Sequence, residues 1–159
     1  RGRRAAGKAL VVLAVQEAEH GIGRIRMRRV ADAAGESLEP AVWDMVEPGS
    51  IVRTDGWRGY NGLTELGYQH NVVRKNPDLG DNLLPLVNRV ASLLKRWLLG
   101  THQGAVQHSH LEYYLDEYTF RFNRRTSKSR GLLFYRLLTQ AMDLGPVLEK
   151  QLKASTDSL

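Results

Sequence analysis

Residues 9–30 read ALVVLAVQEAEHGIGRIRMRRV, and this stretch sets the framework of the fold. The segment 9–15 is apolar and rich in β-branched residues, which predicts a buried strand. Glycines at 21 and 23 indicate a turn, and from Arg24 to Val30 arginines alternate with apolar residues. Such alternation is typical of a half-exposed strand, so the whole stretch predicts a long β-hairpin.

Beyond the hairpin, the apolar pattern predicts short elements followed by longer helices. Ser37 is a candidate N-cap for the first helix, and Gly100 is expected to stop a helix over 86–99. In order, the sequence predicts a helix over 37–46, strands over 50–54 and 68–74 around a short helix through Leu63 and Leu66, a loop over 76–82, and helices over 86–99, 111–122 and 132–142. This order predicts an α/β fold with a helical C-terminal half.

Length and composition exclude several classes of function. The chain has 159 residues, which suits one domain, and no cysteine, so disulfides, thiolate zinc sites and cysteine nucleophiles are ruled out. No apolar run approaches the ~20 residues that span a bilayer, so no membrane partner is expected. Lys and Arg number 23 against 17 Asp and Glu, and this net charge of +6 permits a nucleic-acid partner.

The charges are segregated along the chain. Segments 1–8, 24–29 and 120–136 contain bases and no acid, whereas 31–50 contains acids and no base. One interpretation is that these are the solvated faces of ordinary elements. The other is that the two ends of the chain form a surface that contacts phosphates.

Asp55 is the first candidate site residue, since it follows the predicted strand over 50–54 and precedes Gly56. Carboxylates at the carboxyl ends of strands in α/β sheets commonly point into a site crevice. An Asp-Gly pair is equally typical of a plain turn.

Asn88, Ser92 and Lys95 share one flank of the predicted helix over 86–99. An amide oxygen suits a hard cation and an ammonium group suits a phosphate, so this flank is a candidate phosphate-and-metal site. The alternative is an amphipathic helix whose flank is merely polar. A third candidate is the run Phe120 to Arg125, where aromatic residues and cations fall together near a predicted helix end.

Three motifs together resemble the ISXO2-like group of bacterial insertion-sequence transposases. They are VRTDGWRGY over 52–60, SLLKRWLLGTH over 92–102 and YLDEYTFRFNRR over 114–125. Order and spacing are kept, and the resemblance covers essentially residues 5–140.

The resemblance implies a DDE-type catalytic domain over 1–150 with a ribonuclease-H-like mixed sheet, flanking helices and a frayed tail over 151–159. In such domains two aspartates and a third residue bind two Mg²⁺ ions, with Mn²⁺ as an alternative, for phosphoryl transfer. By this resemblance Asp55 matches the second aspartate, Asn88 the third metal ligand and Lys95 the lysine that follows it. The first aspartate belongs on a strand upstream of Arg1, so the chain alone is expected to be nearly inactive.

The resemblance also implies partners and a location. DNA, both transposon ends and target, is the expected partner, with a homo-oligomer formed on DNA in the bacterial cytoplasm at the nucleoid. The residues expected to contact DNA are Arg58, Ser92, Arg96, Arg121, Arg124, Arg125, Lys128 and Arg130. Two alternatives stay open: a non-catalytic DNA-binding relic of a transposase, and a nuclease or resolvase that shares the fold.

Overall fold

A computed structural model describes residues 8–74, 82–103, 106 and 108–144. Four strands and four α-helices form within these ranges: β1 Leu10–Ala18, β2 Gly21–Val30, α1 Gly35–Met45, β3 Ile51–Thr54, β4 Gln69–Val72, α2 Pro85–Thr101, α3 Leu111–Asn123 and α4 Arg130–Leu144. Short 3₁₀ segments occupy Arg58–Leu63 and His108–His110. The predicted loop over 76–82, except Asn82, and the predicted tail over 151–159 lie outside the described residues.

The predicted hairpin is confirmed. β1 and β2 pair antiparallel from Leu10 opposite Val30 to Ala18 opposite Gly21, with a register irregularity between Val15 and Glu17. On β2 the apolar residues turn inward, and Ile25 is 1% exposed. The arginines at alternate positions lie on the opposite face of the strand, as period two requires, and they are exposed.

β3 and β4 pair in parallel and form a second two-stranded sheet, separate from the hairpin in the described part of the chain. An ion pair between Arg53 Nη1 and Glu17 Oε2, 2.8 Å long, links the two sheets. The expected single mixed sheet is therefore not formed by the described residues, because β1 and β3 each pair along one edge only. The architecture is mixed α/β, with two small sheets and several helices.

Helices cover both faces of the hairpin. On one face, Ile25 packs in a core cluster with Val90 and Leu94 of α2 and Leu115 and Tyr118 of α3. On the other face, Val12 of β1 packs against Leu38 and Ala41 of α1. A third cluster joins α1 to the segment that precedes β4, through Val42, Leu63 and Tyr68.

Two predicted helix boundaries are wrong. Ser37 is not the N-cap of α1, because the chain turns earlier: Asp32 Oδ1 accepts a bond from Ala34 N at 2.9 Å and the helix begins at Gly35. Gly100 does not stop α2, which continues through Thr101. A glycine in a helix costs only about 1 kcal/mol relative to alanine, so the remainder of the helix tolerates it.

The chain divides into two compact units, Arg1–Asn123 and Arg124–Leu159. The first contains both sheets and α1 to α3, and the second contains α4. Among the described residues, no helix is both long and apolar enough to cross a membrane.

Candidate active site

Asp55 directly follows β3, and its side chain is exposed to solvent. One carboxylate oxygen, Oδ1, accepts a hydrogen bond from Trp57 N at 3.2 Å, so the carboxylate sits over a tight turn. Gly56 makes this turn possible, because its φ is +74° and a Cβ there would meet Val72 Cγ1 at 2.6 Å. The turn predicted from the Asp-Gly pair is thus present, and it leaves the carboxylate at the surface.

Thr54, immediately before Asp55, fixes the base of this turn. The residue is 5% exposed, and its hydroxyl lies 2.8 Å from His70 Nε2 on the neighbouring strand β4. The same hydroxyl oxygen accepts a bond from Gly56 N at 3.2 Å. A single buried group therefore ties together β3, β4 and the turn that carries Asp55.

The residues after the turn anchor it to the start of α1. Trp57 Nε1 donates to the Ala33 carbonyl at 2.7 Å, and Arg58 lies over the Trp57 ring, 5.7 Å from its centroid. Gly59 must lack a side chain, because a Cβ there would lie 2.5 Å from the same Ala33 carbonyl oxygen. The motif over 54–60 is therefore a rigid support for one exposed carboxylate.

Asn88, Ser92 and Lys95 are all exposed along one flank of α2, as the helical spacing predicts. The opposite side of the helix is buried through Val90 and Leu94. The Asn88 side chain is oriented by Asn82, whose Oδ1 accepts a bond from Asn88 Nδ2 at 2.6 Å. That bond uses the amide nitrogen and leaves the amide oxygen as the group that can bind a cation.

Ser92 is already hydrogen-bonded within the helix. Its hydroxyl donates to the Asn88 carbonyl at 2.8 Å, so it would have to break this bond before it could donate to a phosphate. Lys95 and Arg96, by contrast, extend into solvent from the next turn of α2.

Asp55 and Asn88 belong to the same compact unit. Within the described residues, however, β3 packs on β4 and α2 packs on β1, and α2 and β3 do not pack extensively against each other. The donors offered are a carboxylate and an amide oxygen, the types that Mg²⁺ prefers. Among the described residues, no group of three or more His, Cys, Asp or Glu side chains could hold a metal ion. A metal site at Asp55 and Asn88 would therefore need a further ligand.

The other residues expected to contact DNA fall in both units. Arg121 forms an ion pair with Glu117 one turn earlier in α3, 2.8 Å long, and its side chain is 68% exposed. The remainder lie in the second unit: Arg124 is half-buried, and Arg125, Lys128 and Arg130 are exposed. The basic run over 120–136 is thus divided between the two compact units.

One carboxyl group outside these candidates has an altered pKa. Asp116 on α3 lines a small pocket with Met27, Leu115 and Glu112. Partial burial, reinforced by the Glu112 carboxylate, raises the pKa of Asp116.

Asn123 is a residue whose role the sequence did not reveal, although it lies inside the third motif. Its carboxamide binds both backbone groups of Ile25, on the outer edge of β2. In the sequence, Asn123 stands between Arg121-Phe122 and two further arginines. No local pattern connects it with a strand that lies far away in the sequence.

Comparison with known families agrees with the motifs. The model of the ISXO2-like transposase domain matches residues 1–123. No curated protein and no solved structure gives a significant match. Because the family model covers well over half of the sequence, the chain belongs to the ISXO2-like transposase domain family.

Proposed function

We propose that this chain is the catalytic domain of a DDE-type transposase that cuts and joins DNA strands at insertion-sequence ends, with a ribonuclease-H-like fold. The observation that carries the proposal is the arrangement around Asp55. Five consecutive residues, Thr54 to Arg58, have bonds or conformations that hold an exposed carboxylate at the end of a strand. Bonds of this type also occur in ordinary turns, and the match of the chain to a transposase domain family supports a catalytic use of the carboxylate over a plain chain reversal.

Asp55 and Asn88 are the proposed metal ligands, and Lys95 is the proposed phosphate contact. When bound, two Mg²⁺ or Mn²⁺ ions would activate the attacking water or 3′-hydroxyl and stabilise charge on the phosphoryl oxygens. An amide ligand adds no further negative charge to a site that must admit DNA. Lys95, on the same exposed flank as Asn88, can hold a phosphodiester oxygen through its ammonium group.

Within the described residues, the outer edge of β1 pairs with no further strand. The backbone N–H and C=O of Ile25 bind Asn123, so they point away from β1. In an antiparallel ladder, two residues that lie opposite each other direct these groups either both toward or both away from the partner strand. Val15, opposite Ile25, therefore directs its own N–H and C=O away from β2. Leu13 and Val11 have the same orientation, because the pattern repeats every second residue.

In the described part of the chain, the outer edge of β3 is likewise unpaired. Gln69 N and Val73 N donate to the carbonyls of Ser50 and Thr54, so the intervening Arg53 directs its backbone groups away from β4. Because the Arg53–Glu17 ion pair links the two sheets, we propose that one strand pairs with both edges and unites them. That strand would carry the first aspartate, upstream of Arg1, and would complete a single mixed sheet.

The proposed setting follows from the family. The domain would act on transposon ends and target DNA as a homo-oligomer assembled on that DNA, in the bacterial cytoplasm at the nucleoid. A non-catalytic relic that only binds DNA, and a nuclease or resolvase, are the alternatives that the experiment must separate.

The test compares this chain with a longer one that is extended upstream through the proposed first aspartate. Both are incubated with Mg²⁺ and a DNA duplex that carries the element's terminal repeats. We expect cleavage and joining by the longer chain and almost none by the shorter one. Robust turnover by the shorter chain would contradict the missing ligand, cleavage without joining would favour a nuclease, and an inactive longer chain that still binds DNA would favour the relic.

A further inference from the structure

Three arginines form a row on the face of β2 that α1 partly covers. Arg24, Arg26 and Arg28 occupy alternate positions, so their side chains leave the same face of the hairpin, and all three are exposed. Two residues of strand advance the chain by about 6.8 Å, so the row presents three guanidinium groups over roughly 14 Å. We call these three residues the arginine row.

The row finds no ion-pair partner at the positions of β1 opposite Arg26 and Arg28. Packing on the other face of β2 is provided by Ile25 and Met27. Across the ladder, Arg26 lies opposite Ala14 and Arg28 opposite Val12, so neither faces an acid on β1. The three like charges of the row therefore lie side by side, and the residues opposite Arg26 and Arg28 on β1 do not neutralise them.

Asp44 near the end of α1 is an acid that meets the row. Its carboxylate forms an ion pair with Arg28, and its backbone carbonyl accepts a bond from Arg26 Nη1 at 3.2 Å. Arg28 and Asp44 side chains remain 49% and 52% exposed in this pair. The Asp44 carboxylate balances one of the three guanidinium charges, so the row and Asp44 together carry a net positive charge.

We propose that the arginine row binds the phosphate backbone of DNA, as a contact surface additional to the catalytic flank of α2 and the basic run after α3. The proposal rests on the proposed function only in taking DNA as the substrate. Guanidinium groups match phosphate oxygens in a bidentate manner, and a regular row on a rigid strand presents them at fixed intervals. Phosphate contacts position a protein on DNA without reading its sequence.

Asp44 has a specific part in this arrangement. Because its carboxylate holds Arg28 in the absence of DNA, a phosphate must compete with it for the guanidinium. An exposed ion pair is weak, so exchange of the carboxylate for a phosphate is easy. Removal of the Asp44 charge should therefore strengthen DNA binding, whereas removal of a row arginine should weaken it.

The first experiment measures binding of the chain to a fluorescein-labelled duplex of arbitrary sequence over a range of salt concentrations. Arg24→Gln, Arg26→Gln and Arg28→Gln are each expected to reduce the slope of log K against log salt by roughly one. Arg29→Gln, on the opposite face of the same strand, is the matched control and should leave the slope nearly unchanged. Circular dichroism spectra confirm that each variant is folded.

The second experiment compares Asp44→Asn with Glu65→Gln, which removes the same charge at an exposed turn away from the hairpin. We expect tighter DNA binding for the first variant and little change for the second. Equal slopes for the row variants and Arg29→Gln, or equal effects of the two acid variants, would overturn the proposal. If the unaltered chain binds no DNA at all, the proposed function fails together with the row.

Discussion

The carboxamide of Asn123 binds both backbone groups of Ile25: Oδ1 accepts from Ile25 N at 2.7 Å, and Nδ2 donates to Ile25 O at 2.9 Å. One side chain at the end of α3 thus takes the place of a neighbouring strand on the outer edge of β2. Because Ile25 is 1% exposed, these backbone groups have little access to water as a substitute partner. The contact joins the hairpin to the last helix of the first unit, across 98 positions of sequence.

Asn123→Ala should destabilise the first unit by about 2–4 kcal/mol, because it leaves a buried N–H and a buried C=O of Ile25 without partners. Chemical denaturation measures the loss, and amide hydrogen exchange at Ile25 should accelerate. Thr126→Ala, an exposed change three residues later, serves as the control and should have almost no effect. Unchanged exchange at Ile25 in Asn123→Ala would show that the pairing contributes nothing.

Gly59→Ala should destabilise the protein by about 1–3 kcal/mol, because the new Cβ would lie 2.5 Å from the Ala33 carbonyl oxygen and 2.7 Å from Leu38 Cδ1. Gly100→Ala is the matched control, since nothing lies within 4 Å of a Cβ at this helical position. It should stabilise the protein by about 0.5–1 kcal/mol. Melting temperatures that shift in the same direction for both variants would contradict the packing described around Gly59.

Asp116→Asn should stabilise the protein at neutral pH and lose this effect in acid. Partial burial, together with Glu112, raises the pKa of Asp116, so the folded state holds the proton more tightly than the unfolded state does. Its contribution to stability is then fully present below the ordinary pKa of 3.8 and is lost as pH rises through the raised pKa. Melting temperatures measured across this range check the sign, with Asp143→Asn on α4 as the control. A benefit that is larger in acid than at neutral pH would refute it.

Asn88→Ala, in the chain extended upstream, should reduce Mg²⁺-dependent cleavage by roughly 10²-fold and weaken Mn²⁺ binding measured by electron paramagnetic resonance. Asn88→Asp keeps an oxygen donor at the same place and should retain metal binding. Arg89→Lys, the next exposed residue on α2, keeps the charge and is the control. Metal binding unchanged in Asn88→Ala would remove this residue from the site.

Patterns that act over a few residues were readable from the sequence. Alternation in β2 predicted the hairpin and the exposed arginines, and helical spacing predicted that Asn88 and Lys95 share one flank. The Asp-Gly pair predicted the turn at Asp55. These features depend on which side of one element a residue occupies, and the sequence records that directly.

Features that join distant segments were not readable. No periodic pattern in the sequence predicts the Thr54–His70 bond between β3 and β4. The same holds for the pairing of Asn123 with Ile25. The start of α1 was misplaced because Asp32, upstream of the helix, makes the turn that Ser37 was expected to cap. Periodicity identifies a strand but does not specify which strand pairs with it. The sequence therefore did not predict the two separate sheets.

We propose that the Asp55 carboxylate performs metal-dependent chemistry on DNA. This proposal is tested most directly by Asp55→Asn in the upstream-extended chain, with Mg²⁺-dependent cleavage of a terminal-repeat duplex and binding of the same duplex measured side by side. We expect a loss of cleavage of roughly 10³-fold, equivalent to several kcal/mol of transition-state stabilisation, with DNA binding and the melting temperature nearly unchanged. Cleavage that survives in this variant would exclude Asp55 as a metal ligand, and a joint loss of binding and folding would make Asp55 a structural residue instead.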